Sequence, residues 1–274
     1  MSNSAIKRND RYMPSGCVPF RFLAWVIVGL VFIALMPSQG FSANFSVSPT
    51  SLELTGGAKS GAFSVINSGE DKLTCQIDLK EWSQDADGKD AYTDAKDIVF
   101  FPKIMTVEPN EQRAVRIGIK GPLSAKEKTY RLFVEEIPSQ KKATDLKDAG
   151  KITAGLTIAF RYSMPIFVRP ARPQESGIIE KIDMSEGVVK AVVRNTGNVH
   201  VKLLSVTFHG KAAGTELFSK EIAGWYVLHG SARTYEASVP QDVCDQLSKI
   251  EVKVQTENFE INGNTHVLKT MCLP

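Results

Sequence analysis

From about residue 45 onward the chain shows almost no sustained helical periodicity. Apolar and polar residues alternate instead with a period of two. That spacing puts every second side chain on one face, so each run predicts an antiparallel strand with one buried side. Such runs cover residues 62–67, 74–79, 114–119 and 130–137 in the first half, and 188–194, 201–208, 234–239 and 250–256 in the second. Between them stand turn formers: Gly56-Gly57, Asn67-Ser68-Gly69, Asp87-Gly88, Pro109-Asn110, Gly121-Pro122, Asn195-Thr196-Gly197 and Asn262-Gly263-Asn264. Strand and turn recurring this closely predict an all-β chain built as sandwiches. The pattern breaks at Arg169-Pro170-Ala171-Arg172-Pro173. Prolines donate nothing to a ladder and stiffen the backbone, so this stretch predicts a short elbow between two domains, residues 43–169 and 173–274.

Residues 1–42 stand outside this pattern. Lys7, Arg8, Arg11 and Arg21 precede an apolar run over residues 22–36, and Pro37-Ser38-Gln39-Gly40 follow. A basic flank, an apolar stretch and then small residues is the layout of a secretory signal peptide. The run is short of the roughly 20 residues that span a bilayer; the alternative is an uncleaved N-terminal anchor. Gly40, Ser42 and Ala43 each meet the small-residue requirement only approximately, so the cleavage site stays open. Cys17 precedes the apolar run, whereas a lipid-modified cysteine follows it. Removing residues 1–42 takes Lys7, Arg8, Arg11, Arg21 and Asp10 from 33 basic and 30 acidic residues and leaves 29 of each. A neutral surface gives no argument for nucleic acid or an anionic membrane as partner. Export to an oxidising compartment predicts a disulfide between Cys244 and Cys272. Cys75 lies at an inward position of the alternating run 73–79, as a small core residue rather than a reactive thiol.

One strand is unlike the others. From residue 151 to 164 the even positions are Ile152, Ala154, Leu156, Ile158, Phe160, Tyr162 and Met164, and the odd ones are Lys151, Thr153, Gly155, Thr157, Ala159, Arg161 and Ser163. At roughly 3.3 Å per residue this is a strand of about 45 Å, well beyond the usual five or six residues. Either it is a long edge strand covering its own core, or part of its apolar row completes another protein's core by strand addition. The polar stretch 139–150 before it suits a strand that extends beyond its own sheet.

Catalytic and metal-binding patterns are missing from the sequence. His200, His209, His229 and His266 are scattered, and no cysteine pair has zinc spacing. The stretch from Asp85 resembles a calcium loop but puts Gly88 fourth and Lys96 twelfth, so it predicts a solvated acidic hairpin tip. Gly56-Gly57-Ala58-Lys59-Ser60 lacks a glycine directly before the lysine and opens a strand, so it reads as a turn. There is no Gly-x-Ser-x-Gly elbow, and Glu135 and Glu136 point to opposite faces of a strand. The expectation is a protein that is not an enzyme and uses no cofactor or metal.

A resemblance is carried by Glu127-Lys128-Thr129-Tyr130-Arg131-Leu132-Phe133-Val134-Glu135-Glu136-Ile137-Pro138, by the long strand after it, and by Phe167-Val168-Arg169-Pro170. Pro102, Glu108-Pro109, Val115-Arg116-Ile117, Asn67 and the opening Val47-Ser48-Pro49-Thr50-Ser51-Leu52-Glu53-Leu54 add to it. In order and spacing, from about Phe45 to Cys272, the chain resembles the periplasmic pilus chaperones of the chaperone-usher pathway. The resemblance implies two immunoglobulin-like β-sandwich domains at an elbow, pilus or fimbrial subunits as partners, and delivery to an outer-membrane usher. It also implies donor-strand complementation, in which the long strand fills a groove left in an incomplete subunit. On the matching strand the donors are Leu156, Ile158 and Phe160, with Ala154 and Tyr162 at the margins. Each large one would contribute roughly 1.5–3 kcal/mol on burial.

The best-known branch of that family grips the subunit's C-terminal carboxylate with an arginine in the first strand and a lysine near the end of the long strand. The matching positions here are Ser51 and Pro165. Arg161, of the same strand parity as Pro165, is the candidate replacement, and Arg116 the second candidate. The family's interdomain charges map onto Glu127, Arg169 and Glu257, which would set the domain angle more than they add stability. Two other functions compete. A structural or adhesive subunit of the fibre would carry its donor segment near its own N-terminus, whereas this strand is internal and precedes a second full domain. A carbohydrate-binding sandwich would expose aromatics on loops, whereas Trp82 and Trp225 lie in apolar, strand-like contexts. An exposed apolar edge also gives the free form a route to self-association.

Overall fold

The computed structural model describes residues 45–85, 87–138 and 159–273. The expected signal peptide and the donor positions Ala154, Leu156 and Ile158 lie outside them. The described chain is almost entirely β, and its first ten strands form one sandwich. They are β1 (Phe45–Ser48), β2 (Leu52–Leu54), β3 (Ser60–Asn67), β4 (Leu73–Gln84), β5 (Asp90–Asp94), β6 (Ile98–Phe101), β7 (Ile104–Val107), β8 (Gln112–Ile119), β9 (Lys128–Glu136) and β10 (Arg161–Val168). One sheet has the order β1-β3-β8-β6; the other runs β2-β10-β9-β4-β5, with β7 also on β4. The first stretch of chain thus changes sheet: β1 pairs antiparallel with β3, and β2 pairs parallel with β10.

Alternation determines what faces inward. Phe63, Val65, Val115 and Ile117 from one sheet meet Cys75, Ile77, Leu79, Tyr130, Leu132, Val134 and Ile166 from the other, and all are buried. At about 25 cal/mol per Å² of apolar area, this core is the main force holding the sandwich. Polar groups close its ends. The Asn67 side chain donates to the carbonyls of Asp71 and Val107 and accepts the Gly69 N–H, which locks the turn after β3.

Eight further strands form the second sandwich: β11 (Gly177–Ser185), β12 (Val188–Asn195), β13 (Val201–Ala212), β14 (Thr215–Ala223), β15 (Tyr226–Val227), β16 (Ala232–Ser238), β17 (Lys249–Thr256) and β18 (Glu260–His266). Sheet β11-β12-β16 packs on sheet β14-β13-β17-β18, with β15 on β13. Val189, Ala191 and Val193 face Val206, Phe208, Ile250, Val252 and Val254 in its core. Asn195 repeats the role of Asn67, donating to the carbonyls of Val199 and Val227 and accepting the Gly197 N–H. Cys244, at the end of the short helix α1 (Gln241–Cys244), is joined to Cys272 as expected, with Cα atoms 5.8 Å apart.

One expected turn is a strand. Asn262-Gly263-Asn264 lies inside β18, with Gly263 opposite Val252. A Cβ at Gly263 would come within 3.1 Å of the Ile179 and Ile182 side chains, so glycine serves close packing there. The turn lies just before, where the Thr256 hydroxyl accepts the Phe259 N–H.

Candidate functional site

Strand β10 is the candidate binding strand. It pairs with β9 over all eight of its residues, from Arg161 opposite Glu135 to Val168 opposite Lys128. On its other side β2 covers only Ile166, Phe167 and Val168. From Arg161 to Pro165 that edge has no strand beside it among the described residues, so its backbone groups are open to pairing. The even-numbered side chains face the first core, as alternation predicts. Tyr162 is half-buried; its hydroxyl donates to the Phe45 carbonyl, and its ring meets the Phe45 ring edge-on at 4.9 Å. Phe160 packs on the same core, its carbonyl accepting the Glu136 N–H. These two donor candidates thus cover the margin of the protein's own core.

The two anchor candidates lie on different sheets. Arg161 is on β10, with Nε 3.4 Å from the Glu135 carboxylate and its guanidinium 4.2 Å from the centre of the Phe133 ring. Arg116 is exposed on β8, opposite Phe101. Pro165 lies beside Arg131 of β9, and Ser51 is half-buried just before β2.

The elbow is held by more than the expected charges. The buried Glu127 carboxylate accepts the His200 backbone N–H at 2.7 Å, and the same oxygen is 2.8 Å from His200 Nδ1. The imidazole stacks on Phe167 with ring centres 3.6 Å apart. The Glu127 N–H donates to the Asn198 carbonyl, and the Asn198 amide donates to the carbonyls of Ala125 and Arg172. Arg169 reaches Glu53 at 3.1 Å and Glu175 at 3.4 Å. Burial works against the Arg169 charge, but the hydrogen bond it donates to Glu53 and the field of Glu53, Glu127 and Glu175 outweigh it and raise its pKa. Glu257 pairs with Lys202 inside the second sandwich. Glu127 and Arg169 therefore influence each other through the field, while the hydrogen-bonding partner of Glu127 across the elbow is His200. A histidine after an ordinary turn carries no sequence signal for this role.

A second tie comes from the β4–β5 hairpin, which the sequence reads as a solvated tip. The tip is docked. Arg233 donates to the Gly88 carbonyl at 3.0 Å, the Gln84 amide donates to the Tyr226 carbonyl, and its oxygen accepts the Leu228 N–H. Gly88 has φ 76°, and a Cβ there would lie 2.7 Å from the Ala232 carbonyl oxygen. Only glycine satisfies both demands.

The same docking buries part of the outer sheet face. Trp82 lies on the face opposite Leu79 and Ile77, yet it is buried against Phe167, Leu228 and Tyr226. Trp225 departs from its expected apolar setting: it lies between β14 and β15 and is 40% exposed. Arg131, which sequence reasoning passed over, is only 5% exposed. Its guanidinium lies 3.9 Å from the Trp82 ring centre and 5.5 Å from that of Trp225. Its Nε and Nη2 are buried without a hydrogen-bond partner among the described residues. Burial lowers its pKa, opposed by Tyr92, Asp90 and Tyr226.

Residues 44–174 match the family model of the pili and flagellar-assembly chaperone, PapD N-terminal domain. Over these 131 of its 274 residues the chain is similar to the PapD-like pilus chaperones. The family is not one of enzymes, and its members that serve ushers work in the periplasm. No curated protein matches the sequence. Solved structures extend the similarity in fold across both domains. A chaperone–tip adhesion subunit pre-assembly complex, CsuC–CsuE from the archaic Csu pili of Acinetobacter baumannii, matches with TM-score 0.55 at 21% identity, over 80% of this chain and 98% of that one. The YadV chaperone matches with TM-score 0.52 at 16% identity, over 82% and 100%. A Salmonella enterica SafA pilin–SafB chaperone complex matches with TM-score 0.50 at 17% identity, over 84% and 98%.

Proposed function

We propose that this chaperone binds incomplete pilus or fimbrial subunits in the periplasm by donor-strand complementation and passes them to an outer-membrane usher. The observation that carries the reading is the open edge of β10 from Arg161 to Pro165, with the alternating apolar row of residues 152–164 running into it. Leu156, Ile158 and Phe160 are the donors, flanked by Ala154 and Tyr162. An added strand would gain main-chain hydrogen bonds from the edge and specificity from these alternate side chains. Residues 1–42 act as the export signal, and the Cys244–Cys272 disulfide suits the oxidising compartment beyond the inner membrane. Free of subunit, the same edge can pair with a second copy. Glu127 and Arg169 hold the elbow, and Arg161 and Arg116 remain cationic groups available to a bound subunit.

The test is co-expression with the subunits encoded beside it. A one-to-one periplasmic complex, with a subunit that is degraded when made alone, is the expected result. Ile158→Asp should abolish that complex while the second sandwich stays folded. Unchanged binding by Ile158→Asp would overturn the donor assignment, and recovery of this protein in sheared fibres would make it a structural subunit.

A further inference from the structure

Resting on the subunit-binding reading, we propose that Asn198 is a positioning residue for subunit capture. Its side chain latches the hinge between the sandwiches and so fixes where the second stands relative to the open edge of β10. Two domains joined by a short linker move relative to one another unless something holds them. Here the linker itself is strapped to the second sandwich. The Thr196 and Gly197 N–H groups both donate to the Ser176 carbonyl. Asn198 and Gln174 exchange a pair of bonds: the Asn198 N–H donates to the Gln174 carbonyl at 3.0 Å, and the Gln174 N–H donates to Asn198 Oδ1 at 2.7 Å. A Cβ at Gly197 would lie 2.2 Å from the Gln174 carbonyl oxygen, so the linker rests directly on that glycine. At the other end of the elbow, the Arg169 N–H donates to the Leu54 carbonyl of the first sandwich. The freedom that remains is confined to Pro170 and Ala171, and the proline already has its φ fixed.

Asn198 bridges that hinge. Its amide nitrogen donates to the Arg172 carbonyl at 3.0 Å, on the linker, and to the Ala125 carbonyl at 3.2 Å, in the first sandwich. Its backbone carbonyl accepts the Glu127 N–H at 2.9 Å. An asparagine side chain has two donor hydrogens and one acceptor oxygen, and here the oxygen and the nitrogen are both engaged, on three different residues. Ala125 and Glu127 lie just before β9, whose first residue, Lys128, pairs with Val168 of β10. The second sandwich is thereby referenced to the two strands that form the binding edge, and not to the proline stretch alone. That sandwich carries Trp225, whose ring centre is 5.5 Å from the Arg131 guanidinium. Arg131 pairs with Pro165, where the open edge ends. The latch therefore decides how much room a strand added along Arg161–Pro165 meets at its junction end.

The test uses the whole protein with its co-purifying subunit, and for distances one nitroxide on each sandwich, at the exposed positions Lys59→Cys and Lys220→Cys. Asn198→Ala removes the side-chain latch. Asn198→Asp keeps the shape and the acceptor for the Gln174 N–H but has no donor for the Ala125 and Arg172 carbonyls. Both variants should give a broader distribution of distances between the labels. Subunit dissociation, timed by exchange against labelled subunit, should be roughly 5- to 30-fold faster, the loss of two neutral hydrogen bonds. The buried Cys75 thiol of the unlabelled variants should resist a disulfide-exchange reagent as well as in wild type, because the first core does not depend on the latch. Distances as narrow as wild type in both variants overturn the latch. Broadened distances with unchanged dissociation overturn the positioning role. A wild-type-like Asn198→Asp shows that the donors are idle and overturns the proposal. Faster labelling of Cys75 makes Asn198 a general structural support and overturns it too. Absence of any wild-type complex overturns the subunit-binding reading and the positioning role with it, while the distances still judge the latch. Should Asn198→Ala not accumulate, Asn198→Asp is read by the same criteria.

Discussion

Replacing Glu127 with alanine should loosen the elbow by an amount the contacts allow one to work out. The side chain is fully buried, and one oxygen accepts both the backbone N–H and the Nδ1–H of His200. The other oxygen has no partner among the described residues, so its loss removes no hydrogen bond. Hydrogen bonds to a charged group are worth about 1.5–3 kcal/mol each, which gives an upper sum of about 3–6 kcal/mol. The His200 side chain is 12% exposed and keeps its stacking on Phe167, so water recovers part of the loss. The expected destabilisation is about 2–4 kcal/mol. Urea unfolding followed by tryptophan fluorescence suits the measurement, because Trp82 and Trp225 flank the junction from opposite sandwiches. A double-mutant cycle with His200→Ala should give a coupling of about 1–2 kcal/mol. A coupling below about 0.5 kcal/mol would refute the claim that this pair clasps the domains.

Three further outcomes are expected. Gly88→Ala should cost about 1–3 kcal/mol, since the variant meets both a left-handed backbone and the Ala232 carbonyl; an unchanged unfolding midpoint would show that the hairpin tip yields freely. Burial, helped by the charge of Glu136, pushes the Cys75 thiol up to about 12, so a disulfide-exchange reagent at pH 8 should label it only on global unfolding, and fast labelling of the native protein would contradict its packing. Asp97 loses solvation on burial, but hydrogen bonds from Lys128 and the Tyr130 hydroxyl more than offset this and hold its pKa below the ordinary value. Because the folded-state pKa is the lower one, its stabilisation is present above the unfolded value, near 4, and is lost as pH falls through the folded value. The stability gap between wild type and Asp97→Asn should therefore shrink from about pH 5 to pH 2, and a constant gap would argue against the assignment.

Strand positions were legible because one buried face imposes a period of two, and residues such as Ile77, Leu132 and Val206 obey it. The Cys244–Cys272 pair could be read for an equally local reason. What escaped was whatever depends on the second sandwich covering the first. Thr129 and Arg131 occupy the outward parity of β9, yet both are buried. Parity states which face a side chain takes and says nothing of what comes to rest on that face. For the same reason Trp82 was legible as apolar but not as part of a junction, and Gly88 as a turn but not as a contact. Gly263 misled in the opposite direction, because a glycine needed for close packing has the same local signature as one needed for a turn.

The ties between hairpin and second sandwich join residues far apart in the chain: Gln84 to Tyr226 and Leu228, separated by 142 and 144 positions, and Gly88 to Arg233, separated by 145. The first core, by contrast, is built wholly from residues before Arg169. A polypeptide emerging N-terminus first can settle that core early, while its hairpin waits for strands that arrive last. The open edge of β10 is therefore finished before the junction beside it. During that interval the nascent protein would present an adhesive edge with no completed cleft to discriminate among partners. Slowing the arrival of the second sandwich lengthens that interval, so the order of synthesis sets how long the β10 edge stands without the junction beside it.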